Sequence, residues 1–292
     1  MAVTLAHRGI CVSQIDRACD FYGRALGFSP VTDGALDAQV LGQLTGHTDV
    51  ELHSQFVRDG SGVSLELVQF VRPPPSGARE RRALNQYGLT HFCFWTPCIE
   101  ETARMIELHG GVPHWHTLVS SEEMNTRVMY CSDPDGVRIE LGERKDEPMA
   151  FLHSALCAGD VAQTIDFYSQ LAGFKLIEHL ELSRHTSWLA PLMELPEVSL
   201  SAYVLVSDQG ERIELLECHR PAPFGTRQAV GPNRFGLSHM TFTVSDLDRT
   251  AELASRLGVA RTFCARSGVR KPEALVCNDP DGITLILLEQ RE

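Results

Sequence analysis

The sequence lacks any apolar run near the roughly 18 residues that a membrane-spanning helix needs. Its opening, MAVTLAHRGICV, lacks the charged and apolar regions of a signal peptide. Positive charge is also scarce: 26 Lys and Arg against 38 Asp and Glu leave a net charge of −12. That balance argues against a nucleic-acid backbone or an anionic membrane as partner. No CxxC spacing occurs among nine cysteines, and an odd count without an export signal points to reduced thiols in the cytoplasm. What remains is ordinary globular composition, 43% hydrophobic and 22% charged, long enough at 292 residues for about two self-supporting domains.

The chain is written twice. RGICVSQIDRACDFYGRALGF (8–28) aligns with SALCAGDVAQTIDFYSQLAGF (154–174), and VSLELVQFVRPPP (63–75) with ERIELLECHRPAP (211–223). NQYGLTHFCFWT (85–96) matches NRFGLSHMTFTV (233–244), and both copies close on a DPDG turn followed by a strand, DPDGVRIEL and DPDGITLIL. The offset stays at 146–148 across all four blocks, which marks a tandem duplication with units at 1–147 and 148–292.

Each unit has two halves of its own. HRGICV and HFCFWT read as short strands, and each precedes an amphipathic helix. In the first helix Ile15, Ala18, Cys19 and Tyr22 share a face and Gly27 is the stop; Ile99, Ala103 and Ile106 repeat the pattern before Gly110–Gly111. Further strands follow, joined by Asp-Pro-Asp-Gly, where proline presets the turn and glycine relieves it. Four strand–helix–strand–strand–strand modules result, headed by His7, His91, His153 and His239. Strands and helices interspersed in this way predict an α+β fold.

Four βαβββ modules, each with an "AxxFY…LGF"-like helix or its shorter cousin, and with DPDG closing strands, resemble the vicinal oxygen chelate superfamily. That superfamily holds glyoxalase I, methylmalonyl-CoA epimerase, bleomycin resistance proteins and extradiol dioxygenases. The resemblance spans nearly the whole chain and implies two half-open barrels, each built from two modules. It also implies metal ligands on the first and last strands of each module. Those positions here are His7, His91, His153 and His239, and Glu66, Glu140, Glu214 and Ile286. Seven of the eight are ligand types, and Ile286 stands where the eighth would be.

Imidazole and carboxylate suit zinc, nickel, iron, cobalt or manganese, and coordination would relieve a carboxylate set among strand leucines. One divalent ion per chain is expected. If modules pair within each copy, His7, Glu66, His91 and Glu140 form the four-ligand site, and His153, Glu214 and His239 a three-ligand one. If the first module pairs with the fourth, the sets become His91, Glu140, His153 and Glu214, against His7, Glu66 and His239. Pairing within copies is the expected arrangement, because the duplicated unit is a complete two-module barrel.

By resemblance, a four-ligand site implies a metal-dependent isomerase or lyase acting on a substrate with adjacent oxygens, by proton transfer through an enediolate. Glu140 or Glu66 is expected as the base. The alternatives are a ring-cleaving extradiol dioxygenase and a small-molecule binding or resistance protein. A homo-oligomer is left open. Among other residues, Arg72 and Arg220 are weaker candidates for holding a substrate anion. His114 and His116 are expected on a surface strand, and His47, His53, His109, His179, His185 and His219 have no partnered spacing.

Overall fold

The computed structural model describes residues 3–32, 49–121, 125–183, 187–228, 231–259, 261–265 and 274–290. The first module comprises β1 (Val3–Cys11), α1 (Ile15–Leu26), β2 (Ser29–Val31), β3 (Glu51–Arg58) and β4 (Ser64–Arg72). The second comprises β5 (Gly88–Thr96), α2 (Ile99–Leu108), β6 (Val112–Pro113), β7 (Val119–Ser121), β8 (Thr126–Ser132) and β9 (Arg138–Glu143). The third runs β10 (Ala150–Cys157), α3 (Val161–Ala172), β11 (Lys175–Leu182), α4 (Leu189–Met193), β12 (Ser199–Val206) and β13 (Arg212–Arg220). The fourth is β14 (Gly236–Val244), α5 (Leu247–Arg256), β15 (Arg261–Ala265), β16 (Ala274–Asn278) and β17 (Thr284–Glu289). The α+β architecture of four βαβββ modules is therefore as the sequence predicts. No helix among the described residues is long and apolar enough to cross a membrane.

The helices begin and end where local chemistry dictates. Gly27 and Gly173 close α1 and α3 in the left-handed conformation, at φ 77° and 69°, which glycine adopts without steric cost. Asp160 and Asp246 cap α3 and α5 by accepting the N–H of Gln163 and Arg249.

The strands form two sheets, and the order within them corrects the expected pairing. One runs β15-β16-β17-β14-β1-β4-β3-β2 and the other β11-β12-β13-β10-β5-β9-β8-β6, with β7 added on β8. Modules one and four thus share a sheet, as do modules two and three, and neither sheet closes. The seams are the antiparallel pairs β1–β14 and β5–β10. Pairing within copies exists too, but through the helices. Phe21, Tyr22, Phe92, Phe94, Ile106 and Met129 make one buried cluster from modules one and two, and Phe167, Tyr168, Phe242 and Ala254 belong to its counterpart from modules three and four. Each copy is welded across its convex faces, while each concave sheet is completed by the other copy.

The repeated turn is part of that weld. Asp133 accepts the N–H groups of Asp135 (2.8 Å) and Val137 (2.7 Å), and its second oxygen takes the Tyr22 hydroxyl at 3.1 Å from α1. Asp279 does the same with Asp281 (2.9 Å), Ile283 (2.8 Å) and Tyr168 (2.8 Å). Replacing Asp279 with Ala strands three buried donors, and we expect a loss of about 2 kcal/mol against about 1 kcal/mol for Tyr168→Phe. Denaturant midpoints for the two variants check this ranking, and equal losses would contradict it.

Candidate metal centre

Residues from four strands converge in the concavity of the nine-stranded sheet. His91 on β5 and Glu140 on β9 come from module two; His153 on β10 and Glu214 on β13 come from module three. Strand alternation turns them all to the concave face, while Leu141 and Ile139 point to the helix side and Leu215 and Ile213 do likewise. His91 Nε2 lies 3.0 Å from Glu140 Oε2 and 3.7 Å from Glu214 Oε2, and His153 Nε2 lies 3.5 Å from Glu214 Oε2. The Tyr130 hydroxyl donates to Glu140 at 3.0 Å and the Cys93 thiol approaches it at 3.7 Å. Thr90 Oγ1 sits 3.1 Å from His91 Nδ1 and so fixes the ring from behind.

The second cluster lies in the eight-stranded sheet: His7 on β1, Glu66 on β4 and His239 on β14. His239 Nε2 donates to Glu66 Oε2 at 3.1 Å, His7 Nε2 stands 3.4 Å from the same oxygen, and the Ser54 hydroxyl donates to Oε1 at 2.8 Å. Ile286 occupies the fourth place, fully buried with Cys11, Val68, Phe70, Ala274 and Val276. The two sites differ most in access. Glu140 and Glu214 keep 14% and 17% of their side-chain surface, whereas Glu66 keeps none. The grouping of His7 and Glu66 with His91 and Glu140 is thereby corrected: the seams bring His91 to His153 and His7 to His239.

Both clusters contain buried imidazole nitrogens without a hydrogen-bond partner. The Nε2 atoms of His7, His91 and His153 are buried and make no properly aligned hydrogen bond, although each is within 3.5 Å of a carboxylate oxygen. Burial opposes the charge on Glu140, but its contacts with His91 outweigh that and hold it down to about 2. Glu214 receives no such help. Burial first, and then the charge of Glu140, push it up to about 8, and burial pulls His153 down to about 3. Orphaned imidazole nitrogens facing two crowded carboxylates are the donor set that a divalent ion satisfies. His91, Glu140, His153 and Glu214 fit such an ion; His7, Glu66 and His239 offer three donors in a sealed chamber.

Sequence reasoning missed Tyr130, Cys93, Ser54 and Thr90. A signal was present for Tyr130. It faces Glu140 across the β8–β9 ladder, and in the other copy the same pair reads Val276 and Ile286. A polar cross-strand pair in one module has become an apolar pair in the other. A third set, Cys98, Glu100 and Glu143, lies close together, but Arg127 pairs with both carboxylates at 2.5 and 3.2 Å.

Several weaker expectations change. Arg72 pairs with Asp49 and Glu51, and Arg220 with Glu197, all on the exposed surface, so neither faces a cleft. His114 precedes and His116 lies within a 3₁₀ turn, Trp115–Thr117, rather than a strand; His114 contacts Ser132 at 2.6 Å and His116 contacts Glu194 at 2.7 Å. His109 pairs with Asp20, His219 with Ser201, and His179 stacks on Tyr203. His47 and His185 lie outside the described residues.

Two half-open βαβββ barrels carrying His and Glu donors on their first and last strands define a vicinal oxygen chelate type of protein. The model of the Glyoxalase/Bleomycin resistance protein/Dioxygenase superfamily matches residues 4–141 and again 150–287, and the chain belongs to that family. Glyoxalase I from Zea mays superposes with a TM-score of 0.69 at 17% identity, over 99% of this chain and 92% of that one. A putative dioxygenase from Bacillus subtilis subsp. subtilis str. 168 gives a TM-score of 0.61 at 14% identity, over 99% and 86%. At such identities the likeness is one of fold. No curated protein sequence matches the chain.

Proposed function

We propose that this chain is a divalent-metal-dependent enzyme that transfers a proton on a small substrate with adjacent oxygens, an isomerase or lyase by class. The observation that carries the reading is the cleft of His91, Glu140, His153 and Glu214: four donors, two orphaned imidazoles and partial access to solvent. These four residues would hold the ion, which when bound supplies Lewis acidity toward the substrate oxygens. Glu140 is anchored by Tyr130, and Glu214, which accepts no hydroxyl or amide hydrogen bond among the described residues, is the freer of the two to shuttle a proton at the carbon beside a carbonyl. The part expected of Glu66 moves to Glu214, because Glu66 is fully buried and cannot touch a substrate. All eight described cysteines are free thiols, which supports a reducing, cytoplasmic setting.

A dioxygenase would use two histidines and one carboxylate with open positions. Two groups have that composition: His91, Glu140 and His153 have Glu214 beside them as a further carboxylate, while His7, Glu66 and His239 have side-chain exposures of 6%, 0% and 0%, which argues against a role with a bulky aromatic substrate. The test is direct. Purified protein loaded with zinc, nickel, cobalt, manganese or ferrous iron is expected to exchange solvent deuterium into a 2-oxo or acyl substrate without consuming oxygen. Oxygen uptake with a catechol and ferrous iron, and no exchange, would overturn the proposal in favour of ring cleavage. Saturable substrate binding without either reaction would make the chain a binding protein.

A further inference from the structure

A pocket of about 40 Å³ opens beside the strand starts of β5, β14 and β17, and shares no residue with either histidine cluster. Its wall includes Arg82, Arg234, Thr226, Ser238 and Thr284. Since a single water needs roughly 10–15 Å³, the space holds about three waters or one tetrahedral oxyanion.

The pocket's charge is uncompensated. Arg82 gives three of its five N–H donors to neutral oxygens: Gln86 Oε1 at 3.3 Å, the Leu89 carbonyl at 2.9 Å and the Tyr87 carbonyl at 2.7 Å. These do not offset its charge. Among the described residues neither Arg82 nor Arg234 has a carboxylate within salt-bridge distance. The carboxylate on the wall, Asp281, is engaged by Arg227 at 3.1 Å, the Gly159 N–H at 2.8 Å and the Thr164 hydroxyl at 2.7 Å. Burial, with Arg234 beside it, pulls Arg82 down to about 10. Two guanidinium groups sharing a shielded space without a counter-charge are held at a cost that an anion removes.

The duplication shows that the fold does not require this pair. Arg79 and Arg227 correspond between copies, and each binds the second aspartate of a DPDG turn, Asp135 or Asp281. Arg82 and Arg234, by contrast, align with Val230 and Gln86. A turn built without these charges in one copy does not need them in the other.

We propose that this pocket binds one phosphate-type oxyanion, held by the guanidinium groups of Arg82 and Arg234 and by the hydroxyls of Thr226 and Thr284. The anion is either free phosphate or the terminal group of a phosphomonoester. The full chain is titrated with inorganic phosphate and with glycerol phosphate at fixed ionic strength, by calorimetry and by thermal unfolding. Saturable binding with a raised unfolding midpoint is expected, weakened at least about tenfold in Arg234→Gln and unchanged in Arg79→Gln. The tighter of the two probes assigns the source. The proposal is overturned if neither probe saturates by about 10 mM, if sodium chloride reproduces the shift, or if Arg234→Gln binds as tightly as the parent.

Discussion

Glu140→Gln is expected to remove the divalent ion from the purified protein and to lower deuterium exchange by about 100-fold or more, while Ile286→Val leaves both nearly unchanged. The amide keeps the shape and the Tyr130 contact but withdraws the charge that offsets a cation, and it leaves His91 facing a neutral neighbour. Ile286→Val only trims a methyl from a sealed apolar cluster, at a cost of about 1 kcal/mol in stability. Elemental analysis and exchange rates on the same preparations separate the two. Equal metal loss in both variants would contradict placing the ion between modules two and three.

Metal-free protein should lose stability on the alkaline side because of Glu214. Its carboxyl is pushed from 4.5 up to about 8, so the folded state holds a proton that the unfolded state has released. Stability from this group is complete below about pH 4.5 and is lost as pH rises through 8, by about 5 kcal/mol in all. His153 acts in the opposite sense. Lowered from 6.5 to about 3, it favours the folded state above 6.5 and withdraws that support as pH falls. The two slopes oppose each other up to about pH 6.5, beyond which His153 drops out and about 2 kcal/mol of the Glu214 effect remains. Glu214→Gln should abolish this loss. Asp133 and Asp279, both raised by burial to about 7, titrate in parent and variant alike and cancel in the difference. Denaturant titrations of chelator-treated protein from pH 6.5 to 8.5 provide the check. A variant that tracks the parent across that range would show that Glu214 already carries its charge.

Much of this was legible in the residues. The constant offset between copies, the glycine stops and the DPDG turns announced modules and fold, because turn chemistry and hydrophobic period are local properties. The strand positions of the clustered glutamates were legible for a related reason: a glutamate between leucines on a strand identifies its face. Which modules share a sheet was not. Backbone hydrogen bonds along β1–β14 or β5–β10 are made by groups that every residue possesses, so nothing in HRGIC or GLSHM names its partner. The within-copy affinity that the duplication suggested is real, but it resides in Phe21, Tyr22 and Phe94 beneath the helices rather than at the strand edges. Glu214 lost its support in a similarly silent way: Ser54 donates to Glu66, while the corresponding Ala202 offers Glu214 no hydroxyl.

The crossing of the two halves gives each cleft ownership of its own residues. Two identical polypeptides joined along the same seams would present two indistinguishable chambers, and any change in one would appear in the other. With both halves on a single polypeptide, the eight-stranded sheet carries Val276 and Ile286 where the opposite chamber carries Tyr130 and Glu140. A substitution in one chamber can therefore leave the other as it is.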